Sequence, residues 1–240
     1  MNKLWIAGLG PGAFEKITLE TIAAIEKADK VILRTAMHPA VSGLSARGVA
    51  FDACDRFYEG AASFPEVYRD IVDFVFDETR NHETVCYCVP GHPLVAEETV
   101  MLILRKAAEE HAKPLDVAVL PALSFLDAAF VLLGTDPMRD GLAILDAASL
   151  GGPTHTHTGI LPLPELPCLF AQTYNVFVAG ELKLALLDEL EPEADVIILH
   201  HAGIAGEEEL LRCPLAELDH YRGFDHLTSV YLPMTGRRKM

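Results

Sequence analysis

Cysteine is scarce in this 240-residue chain: Cys54, Cys86, Cys88, Cys168 and Cys213 are scattered, odd in number and never spaced C-x-x-C. That pattern points to reduced, mostly buried thiols rather than to metal ligands, since a free cysteine packs as a small hydrophobe. Basic residues are also few. Against 35 Asp and Glu stand 19 Lys and Arg, a net charge of -16, which disfavours broad capture of nucleic acid or of an anionic membrane but leaves room for a local basic pocket. No apolar run reaches membrane-spanning length, and the first residues lack the basic start and apolar core of a signal peptide, so the expected location is cytoplasmic. There is no G-x-S-x-G elbow, H-E-x-x-H helix or Walker loop, and hydrolytic and ATP-driven readings lose ground accordingly.

What is present is a large apolar fraction, 50% of the residues, enough for one large domain or two modest ones with their own cores. The most informative segment comes first: the apolar run Trp5-Ile6-Ala7 enters Gly8-Leu9-Gly10-Pro11-Gly12. Glycines there permit close approach of a ligand to the main chain and backbone angles with positive φ. Gly8, Gly10 and Ala13 satisfy the loose G-x-G-x-x-G/A pattern of dinucleotide cradles. Such a cradle needs free N–H groups at a helix start, however, and Pro11 has none. The best helix cap is later, at Thr18. The second strand also delivers Arg34 where a ribose-binding acid would stand. A cradle and a purely structural turn both remain open on these residues.

Along the chain, apolar strands at 3–7, 30–34, 84–89 and 115–120 alternate with helices near 18–28, 65–80 and 97–111, the pattern of a mainly parallel α/β layer. Beyond a seam at 111–122 the pattern changes. A helix from about Ser124 to Leu133 precedes strands near 142–147, 168–173, 195–200 and 227–232, a helix near 178–190, and a Pro/Gly-rich loop at 151–167. The expectation is two α/β lobes, 1–118 and 119–240, with a ligand cleft between them.

Two further turns follow strands. Val89-Pro90-Gly91-His92-Pro93-Leu94-Val95-Ala96-Glu97-Glu98 sits at a strand's carboxyl end, where open α/β sheets bind ligands, although Glu97 and Glu98 could simply complement a helix dipole. In Leu120-Pro121-Ala122-Leu123-Ser124-Phe125-Leu126-Asp127, Ser124 reads either as a ligand contact or as an N-cap with Asp127 as its reciprocal partner. The histidines raise the question of a metal. His155-Thr156-His157 lacks companion ligands at a familiar spacing, while His200 and His201 should face opposite sides of a strand and so fail to share an ion. No metal is expected.

Taken in order, these segments resemble the tetrapyrrole (corrin and porphyrin) methylase family: a G-x-G-P-G loop, the run from Thr18 through Val31, Gly91-His92-Pro93 in place of G-D-P, and Pro121-Ala122-Leu123-Ser124 in place of P-G-I-[ST]. Leu33-Arg34-Thr35 with His38-Pro39, the turn at Gly91, and Gln172-Thr173-Tyr174-Asn175 are similar to the subgroup found as the N-terminal domain of MazG-type nucleotide pyrophosphohydrolase fusions. The resemblance implies a two-lobed class III methyltransferase fold, with a mainly parallel N-terminal sheet and a mixed C-terminal sheet. It implies S-adenosyl-L-methionine as cofactor and S-adenosyl-L-homocysteine as product. Cofactor contacts would be Gly10, Pro11, Gly91, His92, Val95, Ser124 and Phe125, with Gln172 near the sulfonium and Gly203 beside the adenosine. A homodimer, a small-molecule and tetrapyrrole-like methyl acceptor, and a fused or partner pyrophosphohydrolase are the implied partners.

Arg34 stands where the porphyrin-methylating branch carries an aspartate base, which makes uroporphyrinogen a doubtful acceptor. Arg34 and His38 are instead the candidates for the acceptor side, Arg34 binding an anionic group through paired hydrogen bonds or, alternatively, pairing with a neighbouring acid. Rival functions are methylation of RNA, of a protein or of a peptide backbone, and a regulatory module that binds S-adenosylmethionine without rapid catalysis.

Overall fold

The computed structural model describes residues 2–61, 63–109, 115–149 and 166–234. They gather into two compact units, Met1–Asp127 and Ala128–Met240. The elements of the first unit are β1 (Lys3–Gly8), α1 (Leu19–Lys27), β2 (Lys30–Leu33), α2 (Val41–Ala46), β3 (Asp52–Ala53), α3 (Phe64–Asn81), β4 (Thr84–Val89), α4 (Glu98–Glu109) and β5 (Asp116–Val119). Helix α5 (Phe125–Leu133) leads into the second, which continues with α6 (Pro137–Asp140), β6 (Ala143–Asp146), β7 (Cys168–Ala171), α7 (Val176–Leu187), β8 (Asp195–His200), β9 (Glu209–Pro214) and β10 (Thr228–Leu232). The Pro/Gly-rich loop and His155-Thr156-His157 lie largely outside the described residues.

Strand β4 shows why the first sheet sits in the middle of its unit. Side chains alternate across a strand, and here both faces are buried. Val85, Tyr87 and Val89 pack with Val67, Ile71 and Val75 of α3 and Val100 and Ile103 of α4. Cys86 and Cys88 face the other layer, with Ala24 and Ile25 of α1 and Val41 and Leu44 of α2. Burial on both faces is the condition of a parallel sheet covered by helices, and the order is β3-β2-β4-β1-β5 with every pairing parallel. Each fully buried Val, Leu or Ile contributes about 1.5–3 kcal/mol of transfer free energy, so these two layers hold the strand ends firmly. Thr18 caps α1 as expected, its Oγ1 accepting from the Thr21 N–H at 3.1 Å.

The second sheet is mixed: its order is β6-β7-β10-β8-β9, with β6 and β7 parallel and the remaining neighbours antiparallel. Its core joins Cys168 and Phe170 of β7, Val196 and Ile198 of β8, and Val230 and Leu232 of β10 to Val178, Leu182 and Leu186 of α7. Strand β9 escapes an apolar-pattern reading because it is an edge strand with four exposed residues, yet it pairs with β8 over six positions. All five cysteines are free, four of them buried and Cys213 partly so.

Candidate functional site

Three strand ends meet at Gly8. Beyond β1, the Leu9 N–H donates to the Val89 carbonyl at 2.8 Å, and Gly10 and Gly91 then exchange backbone hydrogen bonds of 3.2 and 3.1 Å. A Cβ on Gly8 would lie 2.2 Å from the Gly91 carbonyl oxygen, 2.5 Å from Ala122 Cβ and 3.0 Å from Pro93 Cδ. The three turns singled out in the sequence are therefore in contact in one unit, and only hydrogen fits at their centre. Gly10 and Gly91 both have positive φ, 72° and 63°. No described atom lies within 4 Å of a Cβ built on Gly91, so that turn presents open main chain.

Pro11 and Gly12 follow on the β1 side. On the β4 side, His92 Nδ1 accepts from the Leu94 N–H at 3.0 Å and the His92 carbonyl from the Val95 N–H at 3.0 Å. With Nδ1 an acceptor, the neutral ring carries its proton on Nε2 and offers a donor. At the third turn, Ser124 is buried and Oδ2 of Asp127 accepts from both its N–H, at 2.6 Å, and its hydroxyl, at 3.1 Å. Ser124 Oγ in turn accepts from the Leu126 N–H at 3.1 Å. This is a capping box with Asp in the place of Glu, and it fixes where Phe125 begins α5. Asp127→Ala should lower stability by about 1 kcal/mol, the usual loss for a helix cap, as read by urea denaturation.

The end of β2 carries a different chemistry. Arg34, whose side chain is 13% exposed, has its guanidinium carbon 5.1 and 5.5 Å from the ring centres of Tyr58 and Tyr68, and its Nε 3.6 Å from Glu97 Oε1. Glu97 Oε1 also accepts from the Thr99 N–H at 3.2 Å and hydroxyl at 2.6 Å. Since the Thr99 proton goes to Glu97, Tyr87 must donate to Thr99 Oγ1, 2.8 Å away. The result is a buried polar chain, Tyr87 to Thr99 to Glu97 to Arg34. Burial opposes the charge on Arg34, but Glu97 and the tyrosine oxygens outweigh it and raise the guanidinium pKa. Arg34 Nε is buried without a hydrogen-bond partner. Arg34 thus pairs with an acid, as one sequence reading had it, but in a half-enclosed aromatic setting rather than on an open surface.

His38 is committed elsewhere. Its Nε2–H donates to the Gly10 carbonyl at 3.1 Å and its Nδ1 accepts from the Ala40 N–H at 3.3 Å. Burial pushes its pKa down, and the Gly10 bond offsets only part of that. A neutral ring bonded at both nitrogens braces the glycine loop; it offers neither charge to an anion nor a lone pair to a proton. In this arrangement both ring nitrogens of His38 are engaged by main chain.

The remaining candidates lie in the second unit. Gln172 follows β7 with φ of 62°, a left-handed conformation uncommon outside glycine and frequent at functional positions. That turn also stops β7 at Ala171, short of the expected 173. Gly203, with φ of 94°, donates its N–H to Glu208 Oε1 at 3.0 Å. A second expectation is reversed here. His201 follows the last residue of β8 with φ of 52°, which swings its ring back beside that of His200, so the two stack at 3.8 Å instead of facing opposite ways.

A profile of the family described as Tetrapyrrole (Corrin/Porphyrin) Methylases matches residues 3–219. The chain belongs to this family. Among family relatives, it is 35% identical over 243 residues to the uncharacterized protein YabN of Bacillus subtilis (strain 168), an alignment covering 100% of this chain and 46% of YabN. The chain thus spans about half the length of that relative. Of solved structures, uroporphyrin-III-C-methyltransferase from Thermus thermophilus superimposes with a TM-score of 0.70 at 21% identity, over 98% of this chain and 96% of that one. A structure of the Thermus enzyme complexed with S-adenyl homocysteine gives a TM-score of 0.63 at 18% identity, over 98% and 94%. These structures establish the shared tetrapyrrole methylase fold.

Sequence reasoning did not single out Tyr58, Tyr68, Tyr87 and Thr99. Their only signal is composition: Tyr58 before α3, Tyr68 in α3, Tyr87 in β4 and Thr99 in α4 are aromatic and hydroxyl residues that no motif marks. Glu97 was legible as a helix-start acid, which it is, but not as the partner of Arg34.

Proposed function

We propose that this tetrapyrrole methylase family member is an S-adenosylmethionine-dependent methyltransferase whose donor lies against the ends of β1, β4 and β5. Gly10, Pro11, Gly91, His92, Val95, Ser124 and Phe125 would hold it, with Gln172 and Gly203 contributing from the second unit by family resemblance. One observation carries the reading: the mutual Gly10 and Gly91 hydrogen bonds join the two family motifs into a single stretch of main chain, open at Gly91. That surface suits a ligand bound through backbone groups and without phosphate, because Pro11 supplies no N–H for an anion.

When bound, S-adenosylmethionine would supply an electrophilic sulfonium methyl for transfer to the acceptor, with S-adenosylhomocysteine as product. The protein's part is positioning and exclusion of water. Bracing of the Gly10 carbonyl by neutral His38 fixes the loop. Arg34, charged and partly desolvated, is the residue suited to orient an anionic group of the acceptor, where a guanidinium forms strong charge-assisted bonds. A base is needed only where the acceptor must lose a proton, as at a hydroxyl or amide; a neutral amine can attack without one.

The reading extends to a homodimer working beside a nucleotide pyrophosphohydrolase. Support comes from the Gln172-Thr173-Tyr174-Asn175 resemblance and from YabN being about twice as long as the matched region. The second reading, a sensory module, rests on His38 being unavailable as a base. Calorimetric titration with S-adenosylmethionine and S-adenosylhomocysteine, run beside radiolabelled methyl transfer into fractionated cell extract, tests both. Binding with transfer supports the enzyme, binding without transfer to any fraction supports the sensor, and no binding of either compound refutes the cofactor assignment.

A further inference from the structure

We propose that the second unit contains a divalent metal site of the zinc class, formed by His200, His201 and Asp225. Among the described residues these side chains converge so that one ligand atom from each lies within 4.8 Å of the others. Two imidazole nitrogens and one carboxylate oxygen are ligands that a borderline cation such as Zn²⁺ accepts, with a fourth position open to water.

The backbone is bent to bring them together. His201 leaves β8 in the left-handed region, a conformation that is unfavourable for a residue with a Cβ, and the two rings stack as a consequence. Asp225 stands in the turn before β10, its Oδ1 accepting from the Leu227 N–H at 2.9 Å and the Thr228 hydroxyl at 3.0 Å. Its Oδ2 is left for the rings, 2.6 Å from His201 Nε2 and 3.5 Å from His200 Nε2.

A simple ion pair explains half of this arrangement. Protonated His201 would satisfy Asp225 through Nε2 and Glu207, 2.8 Å from Nδ1. It would leave His200 Nε2 buried with no hydrogen-bond partner, as it stands. A single cation satisfies His200, His201 and Asp225 at once. Glu207 then takes the outer place that carboxylates commonly occupy behind a ligating histidine, accepting from Nδ1 and orienting the ring. Tetrahedral ligands with bonds of about 2.1 Å sit about 3.4 Å apart, so His200 Nε2 and Asp225 Oδ2, 3.5 Å apart, are already spaced for it, while His201 must draw back from Asp225 and the stacked rings must turn so that both Nε2 lone pairs aim at one ion.

Such an ion would tie the 201–208 connection, including Gly203, to the turn at Asp225. The test uses the full chain, treated with chelator, dialysed and titrated with ZnCl₂ alone by calorimetry, with Co²⁺ absorption as an independent report on ligand type. Expected are one Zn²⁺ per chain, a rise in Tm of several degrees at saturation, and a loss of affinity of about tenfold or more in His200→Gln and Asp225→Asn, with Glu207→Gln weaker by about tenfold. His200→Gln keeps the volume of the side chain, so circular dichroism can establish that the variants fold. Absence of stoichiometric binding, or unchanged affinity in folded His200→Gln and Asp225→Asn, overturns the proposal. Because the readout is metal binding, failure here leaves the cofactor reading untouched, and the reverse holds equally.

Discussion

A Gly8→Val chain is expected to lose saturable S-adenosylmethionine binding and to unfold at clearly lower urea than the parent. A Cβ at this position meets the Gly91 carbonyl oxygen at 2.2 Å and Ala122 Cβ at 2.5 Å, distances that no side-chain rotation relieves because the first obstacle is backbone. Nor can β4 retreat, since it is paired to β1 on one side and β2 on the other. Overpacking of this kind typically costs about 1–3 kcal/mol, more where the surroundings cannot give, and valine adds two methyls to the clash. Gly91→Ala supplies the contrast. Its Cβ enters open space, leaving only the positive φ to oppose it, about 1 kcal/mol. Urea denaturation of both variants beside calorimetric titration distinguishes them. Equal losses would show that close approach of the three turns is not what Gly8 provides.

Replacing Arg34 by methionine should reduce methyl transfer by about 10- to 100-fold in kcat/KM, the equivalent of one or two charge-assisted hydrogen bonds to the acceptor. Affinity for S-adenosylmethionine should stay within about threefold, less than 1 kcal/mol, because the glycine turns owe nothing to the guanidinium. The competing explanation is that Arg34 serves only to neutralise Glu97, 3.6 Å away. Removing one member of a buried pair leaves the other uncompensated, so Arg34→Met would then act through lost stability. The double variant Arg34→Met/Glu97→Gln separates the two. If it recovers both stability and turnover, Arg34 is structural; if it recovers stability while turnover stays low, Arg34 faces the acceptor.

Much of the first unit was legible because its signals are local and redundant. Short continuous apolar runs such as Val85 to Val89 predict buried strands, Thr18 predicts a helix start, and glycine after a strand predicts a turn that side chains cannot occupy. Strand β9 and helix α2 were not legible: an edge strand with exposed alternate residues and a six-residue helix bury too little to leave a pattern. The same limit hid the surroundings of Arg34. Tyr58, Tyr68 and the near neighbours Glu97 and Thr99 come from three places in the chain, and no spacing rule links them to Arg34.

The sequence by itself determined the family, the parallel layer and the three turns, because each depends on residues close together whose backbone and burial preferences act in the same direction. Tertiary structure alone decided that the turns meet at Gly8, that His38 is neutral and occupied by backbone, and that His201 folds back onto His200 toward Asp225. Those outcomes depend on the relative placement of separate elements and on one left-handed residue. Packing sets both, and it overrides what adjacent positions on a strand would otherwise do.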